Sequence, residues 1–284
     1  MDTQPPGSPT PFLLRTWNLL ARDYTHYNQA AHGHGPAKGE KSERVEATWQ
    51  TRARYRLAAA ALLAAEPDVV CLQECGPDFF DPKLSPLAAE LEALYLTFPG
   101  RTARDHPGAV VLLRRTHNPL RRAPGLAPKV VRGHGFGGFS KTASAIPLVL
   151  AGRPEPLWIV SGHFGMEPYE RAAHLAAIGA VVGDAPVVLA GDFNATPGAL
   201  AEEPNGWFRT LARVPNEAPT GLNKDLTAPV HIDHVYWRGL AGLTPQAYTE
   251  GLPQPPWRQG SAVAGRGTVV GASDHVWLDV AFRP

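Results

Sequence analysis

Apolar runs of β-forming residues recur along this chain, and several end abruptly on a polar residue. FLLRTWN stops on Asn18, VVCLQE on Glu74, LWIVSGH on His163, and VVLAGDFN on Asp192 and Asn194. Unbroken apolar runs of this kind read as buried strands, and they alternate with Ala/Leu-rich helical stretches, the pattern of an α/β chain. In open α/β sheets, ligands bind beyond the carboxyl ends of strands. A lone Gly-Asp-Phe-Asn is more often a turn, with Gly191 bending the backbone and the Asx side chains capping it. Polar residues repeated at one strand end after another suggest a shared site instead.

Along the chain, residues 12–20 read as a strand ending near Asn18, followed by a long polar loop. Its histidines, His26, His32 and His34, are irregularly spaced and read as solvated surface. Thr48 to Glu66 is helical, basic in its first half and apolar in its second, and Pro67 stops it. DVVCLQE is a buried strand, SPLAAELEALYL a helix, and GAVVLLRR, SAIPLVL and LWIVSGHF are strands. PYERAAHLAAIGAVVG carries Pro168 and Glu170 as helix-start signals. HIDHVYW alternates His231, Asp233 and Val235 against Ile232, His234 and Tyr236, as a half-buried strand does. GASDHVWLDVAF puts Ser273, Asp274 and His275 at the start of a closing strand. The Gly/Pro-rich stretches at 121–138 and 251–271 read as loops over one site. With no internal repeat or linker, the expectation is a flexible segment over 1–11 and a single domain over 12–284.

Composition narrows the class only in places. The 284 residues are 44% hydrophobic and 19% charged, enough for a sizeable core, and a net charge of +1 argues against a strongly basic protein that coats nucleic acid. No secretory signal or membrane-length apolar run is visible. Cys71 and Cys75 have no distant partners, so neither a disulfide framework nor a structural zinc site is expected; Cys71 reads as a small buried strand residue, and a cytoplasmic location follows. No feature points to a protein partner, and a monomer is the default expectation.

Collected, the polar residues at strand edges are Asn18, Glu74, His163, Asp192, Asn194, Asp233, Asp274 and His275. Carboxylates and amides are hard oxygen ligands suited to Mg2+ or Mn2+, and histidines serve proton transfer and hydrogen bonding.

In order and content, TWN at 16–18, CLQE at 71–74, GHF at 162–164, GDFN at 191–194, IDHVY at 232–236 and SDH at 273–275 resemble the metal-dependent endonuclease/exonuclease/phosphatase superfamily. That superfamily includes pancreatic deoxyribonuclease, abasic-site endonucleases, neutral sphingomyelinases, inositol polyphosphate 5-phosphatases and poly(A) deadenylases. The resemblance implies a DNase I-like four-layer α/β sandwich, with two packed central mixed β-sheets flanked by helices. It implies Glu74, Asn18 and Asp274 at the metal, Asp192 and Asn194 orienting the attacking water, His275 on the scissile phosphate with Asp233 fixing its tautomer, and His163 stabilising phosphoryl oxygens or the leaving group. The implied activity is a Mg2+-dependent phosphodiesterase or nuclease. A phosphatase, a phospholipid-headgroup hydrolase such as a sphingomyelinase, and a non-catalytic scaffold are the alternatives.

The long interval between TWNLLARDY and CLQE is similar to the deadenylase and nocturnin-like branch. The abasic-endonuclease Gln-Glu-Thr-Lys run is missing, since Glu74 precedes Cys75, and so is the 5-phosphatase Trp-Cys-Asp-Arg run, since Asp233 precedes His234. Arg132, His134 and Lys141 in VRGHGFGGFSK, and Arg266 in AGRG, are candidate substrate-binding residues that could meet phosphate. Trp49 and Trp257 read as core or rim packing, with base stacking the alternative. A phosphate ester is the expected substrate, with nucleic acid a plausible one.

Overall fold

The computed structural model describes residues 10–22, 47–99, 108–133, 141–216, 218–222, 229–248, 262–264, 268–270, 273 and 275–284. The first sheet contains β1 (Phe12–Asn18), β2 (Val69–Cys75), β3 (Tyr95–Phe98), β4 (Gly108–Arg114), β14 (Thr244–Tyr248) and β17 (Leu278–Arg283), in the order β14-β17-β1-β2-β4-β3. The second runs β10 (Ala212–Arg213), β13 (Asp233–Arg238), β9 (Val187–Asp192), β8 (Pro156–His163), β7 (Thr142–Leu150) and β5 (Leu120–Arg122), with β6 (Lys129–Arg132) also beside β7. The remaining strands form two small ribbons, β11 (Gly221–Leu222) with β12 (Pro229–Val230), and β15 (Ala262–Ala264) with β16 (Thr268–Val270). Both large sheets are mixed: β1 and β2 run parallel, as do β8 and β9, while their other neighbours are antiparallel.

Strand alternation explains the layers. One face of each sheet contributes to a shared core between them, including Leu14, Val69, Cys71, Ile159, Val188, Ala190 and Val235. The outer face of the first sheet, with Trp17, Val70, Leu72 and Leu112, packs on α1 (Thr48–Ala65) through Tyr55, Ala59 and Leu62, and on α2 (Ala88–Leu94) through Leu91. The outer face of the second sheet, with Val160, Val187 and Leu189, packs on α3 (Pro168–Val182) through Leu175, Ile178 and Val182. A short α4 (Pro197–Ala201), capped by the Thr196 hydroxyl, follows β9. The result is the four-layer sandwich expected from the motifs.

A buried arginine ties the outer helix layer to the first sheet. Arg15 donates from Nε and Nη2 to the two oxygens of Asp279 at 2.7 Å each and from Nη1 to the Ala61 carbonyl, and it lies over the Trp277 ring. The bidentate geometry satisfies the guanidinium donors in a place where bare charge would be costly.

Sequence patterning misplaced several boundaries. Tyr95 leaves the expected helix and starts β3, because its pairing opposite Arg114 on β4 outweighs helix propensity. β6 and all of β5 but Leu120 lie within the stretch read as loop; runs this short become strands only by borrowing β7 as partner. The closing strand begins at Leu278, so Ser273 and His275 stand in the loop before it. β13 begins at Asp233, and the His231 ring lies 4.7 Å from that of His234, not on an opposite face. Trp49 is 45% exposed and so is not a core residue. Both cysteines are buried, and neither forms a disulfide. No helix among the described residues is long and apolar enough to cross a membrane.

Two buried histidines make this fold acid-sensitive. His174 on α3 presents Nε2 to the Val131 carbonyl, and His234 presents its own to the Ala195 carbonyl, so in both rings that nitrogen carries the proton. Burial lowers their pKa values to about 4 and about 3, below the ordinary 6.5. A histidine kept neutral in the fold binds a proton only on unfolding, so its contribution is complete above pH 6.5 and is lost as pH falls toward the folded value. Urea unfolding should therefore lose up to about 3 kcal/mol per histidine between pH 6.5 and 4. His174→Gln should flatten that slope by the share of one proton, and an unchanged slope would contradict the assignment.

Candidate active site

The alternation that builds the core also builds a polar end to it. On β1 the inward series is Leu14, Thr16, Asn18; on β8 it is Ile159, Ser161, His163; on β9 it is Val188, Ala190, Asp192. Each passes from apolar to polar toward the same end of the sandwich. Gln73 of β2 spans the gap between sheets, donating from Nε2 to the Ser161 hydroxyl at 3.1 Å and the Thr16 hydroxyl at 3.2 Å, while Ser161 donates to the Leu72 carbonyl at 2.9 Å. All three side chains are buried and mutually satisfied, so this layer closes the apolar core beneath the site.

Above it, Asn18 joins the sheets. Its Nδ2 donates to Glu74 Oε1 at 3.2 Å and to Asp192 Oδ2 at 3.0 Å, while its Oδ1 accepts the Leu20 N–H. Glu74 reaches this position through a β-bulge. Between Leu72 and Cys75 the register of β2 on β4 shifts, and Glu74 adopts φ 52°. Regular alternation would send Glu74 to the face opposite Gln73; the bulge turns its carboxylate toward Asn18 and the Ala21 N–H, 2.9 Å from Oε2. Asn194 is likewise left-handed, at φ 49°, with its N–H on Asp192 Oδ1 and its Nδ2 on the Phe164 carbonyl. Non-glycine residues in this region cost about 1–3 kcal/mol each and cluster at functional sites.

His275 and Asp233 complete the group. His275 Nδ1 lies 2.8 Å from Asp233 Oδ2, which makes that nitrogen the donor and turns Nε2 toward Asp192 Oδ2, 3.9 Å away. The loop carrying His275 is pinned by Trp17 Nε1 donating to the His275 carbonyl and by Ser273 Oγ donating to the Asn18 carbonyl. The Thr220 hydroxyl accepts the Asp233 N–H and so holds the start of β13.

His163 Nε2 lies 3.5 Å from Asp192 Oδ2 and 3.8 Å from Glu74 Oε1, and the Lys141 ammonium contacts the same nitrogen. Burial first, then the Lys141 cation, holds the His163 pKa well below its usual value, so these approaches join a neutral ring to carboxylates. Burial pushes the Asp192 carboxyl up and Asp233 adds to this; His275, Lys141 and the Asn194 N–H oppose it. Burial likewise lowers the Lys141 pKa, against Glu74 and Asp192.

Such a donor set fits a hard divalent cation. Glu74 and Asp192 converge on one amide, and buried carboxylates are stabilised in their charged form by a nearby cation. Among the described residues, candidate ligand atoms of Asp192, Asp233 and His275 also lie within 4.8 Å of one another, and Asp233 Oδ1 is buried with no hydrogen-bond partner. Because His275 Nδ1 is engaged by Asp233, Nε2 is the ring nitrogen turned toward Asp192.

The structure thus brings together Asn18, Glu74, His163, Asp192, Asn194, Asp233 and His275. Lys141, a substrate-binding candidate, immediately precedes β7 and sits half-buried against His163. Arg132 ends strand β6 and is exposed. Asp274, His134, Arg266, Trp257, His26, His32 and His34 lie outside the described residues. Sequence reasoning missed the supporting roles of Gln73, Ser161 and Thr220; for Ser161, as for Thr16, the sign was an inward polar residue two positions before a site residue, while Thr220 lies in no strand and gave no such sign.

Comparison with known proteins matches residues 16–275 to the model of the Endonuclease/Exonuclease/phosphatase family. No curated protein matches. Among solved structures, D. rerio TDP2 complexed with single strand DNA product superposes with a TM-score of 0.63 at 17% identity, covering 97% of this chain and 100% of that one. The human Nocturnin catalytic domain with bound sulfate anion gives 0.57 at 18%, covering 96% and 93%. ANGEL2, a 2',3'-cyclic phosphatase in complex with adenosine-2',3'-vanadate, gives 0.63 at 17%, covering 96% of each chain.

Gly191 is a point where this geometry is tested directly. Its φ is 150°, and a Cβ there would lie 1.9 Å from the Gly162 carbonyl oxygen of the parallel neighbour strand. Gly191→Ala should cost about 2–4 kcal/mol in urea denaturation. A wild-type midpoint would contradict the close approach of β8 and β9.

Proposed function

The chain belongs to the endonuclease/exonuclease/phosphatase family and is a metal-dependent phosphoric ester hydrolase, and from that premise we propose that it is a Mg2+-dependent phosphodiesterase acting on nucleic acid. The observation that carries the reading is the Asn18 amide bridging Glu74 and Asp192 across the two sheets, beside the His275–Asp233 pair. Support for a nucleic-acid substrate comes from the similarity to D. rerio TDP2 holding a single strand DNA product.

In this reading Glu74 would hold the metal, with the Asn18 amide positioning its carboxylate and Asp274 beside them by resemblance, and Mn2+ would substitute for Mg2+. A divalent ion bound there would supply Lewis acidity to the reaction. Asp192 orients the attacking water and takes its proton, a role helped by the burial that raises its proton affinity. The Asn194 N–H holds Asp192 Oδ1, so the opposite oxygen faces the water. Asp233 keeps the His275 proton on Nδ1 when the ring is neutral; protonated at Nε2 as well, the ring donates to a phosphoryl oxygen. His163 and the Lys141 ammonium beside it counter the charge that develops on the remaining oxygens.

Hydrolysis of an activated phosphodiester should vanish with chelator and return with Mg2+ or Mn2+. Asp192→Asn and His275→Ala should each lower kcat by roughly 10²–10⁴. Undiminished rates in both variants would sink the site. A panel of single-stranded DNA, duplex DNA, poly(A) RNA, abasic DNA, a phosphoinositide and sphingomyelin at fixed magnesium tests the substrate class; turnover confined to the lipids would overturn the nucleic-acid reading.

A further inference from the structure

The registers of the second sheet place one more residue in line with the site. Asp233 lies opposite Asp192 on β13 and β9, and Asp192 beside His163 on β9 and β8. One step beyond the Ala143↔Gly162 pair, Thr142 stands beside His163, and Thr142 pairs with Arg132 of β6. Directly paired residues point to the same face of a sheet. Asp233, Asp192, His163, Thr142 and Arg132 therefore form one lateral row on the inward face. Val131, one residue back, is buried with the outer-face cluster around α3, as alternation requires if Arg132 faces the other way.

Arg132 ends this row at the open edge of the sheet. Strands lie about 5 Å apart, so its Cα stands about 10 Å from that of His163, two strand spacings away. The side chain is exposed, and among the described residues its guanidinium has no hydrogen-bond or ion-pair partner. The guanidinium offers a planar, bidentate donor pair matched to phosphate.

We infer that Arg132 forms a second phosphate subsite, holding a phosphate that adjoins the one under attack, so that the enzyme favours a polynucleotide over an ester carrying a single phosphate. This rests on the phosphodiesterase reading above. An edge strand also uses charged residues to block pairing with other chains; that role gives no dependence on substrate length, which separates the two.

The test compares the full-length protein with Arg132→Ala and Arg132→Lys on a single-phosphate diester, thymidine 5′-(p-nitrophenyl phosphate), and on a labelled oligothymidylate. In Arg132→Ala, kcat/KM for the oligonucleotide should fall roughly tenfold or more beyond any fall for the small ester, chiefly through KM. The salt dependence of oligonucleotide binding should flatten by about 0.7 in log–log slope, the share of one single-strand phosphate contact, and Arg132→Lys should restore it. Equal losses on both substrates, or no loss on either, would overturn the subsite. If wild type cleaves the small ester with magnesium but not the oligonucleotide, the subsite fails while the phosphodiesterase reading stands. If it cleaves neither, both fail.

Discussion

The site depends on one side chain that belongs to one sheet and hydrogen-bonds to both. Asn18 ends β1, yet its amide nitrogen reaches Glu74 on the same sheet and Asp192 on the other. Two carboxylates drawn toward one another repel unless something lies between them, and a neutral double donor is the least costly way to hold them without cancelling their charge. Both carboxylates are drawn onto the same amide nitrogen, and in the proposed reading a divalent cation beside them would complete the charge balance. Three further hydrogen bonds maintain that convergence: the Ser273 hydroxyl on the Asn18 carbonyl, the Leu20 N–H on its Oδ1, and the Ala21 N–H on Glu74.

Beneath it, the Thr16–Gln73–Ser161 layer solves a different problem. A site built between two sheets needs polar groups to enter the apolar core without being left unpaired. Gln73 is fully buried and distributes its donors over both sheets, which fixes their separation just below Asn18, Glu74 and Asp192. The left-handed backbone at Glu74 and Asn194 is the complementary cost, since these residues turn side chains where a regular strand would not.

Much of the fold was legible because it is local. The apolar runs, the helix stop at Pro67 and the start at Pro168 each act within a few residues, and the structure keeps them. The elements misread were those whose state is set by a distant partner: Tyr95 as strand, and β6 and all of β5 but Leu120 inside an apparent loop. The site shows the same division. Asn18, His163 and Asp192 follow from period-two alternation in strands that end on them. Glu74 does not, because its direction depends on a bulge against β4.

By itself, the sequence determined which residue types stand at the ends of which strands, and the order of those motifs was enough to imply the family and its layered sandwich. Only the tertiary structure decided which of them meet: that Lys141 turns inward onto His163, that His275 reaches Asp233 from a loop and not from a strand, and that Arg132 shares a row with the site. The reason is physical. Side-chain periodicity is written into consecutive residues, whereas register, bulges and packing between sheets arise from pairings between residues far apart in the chain, which no local pattern encodes.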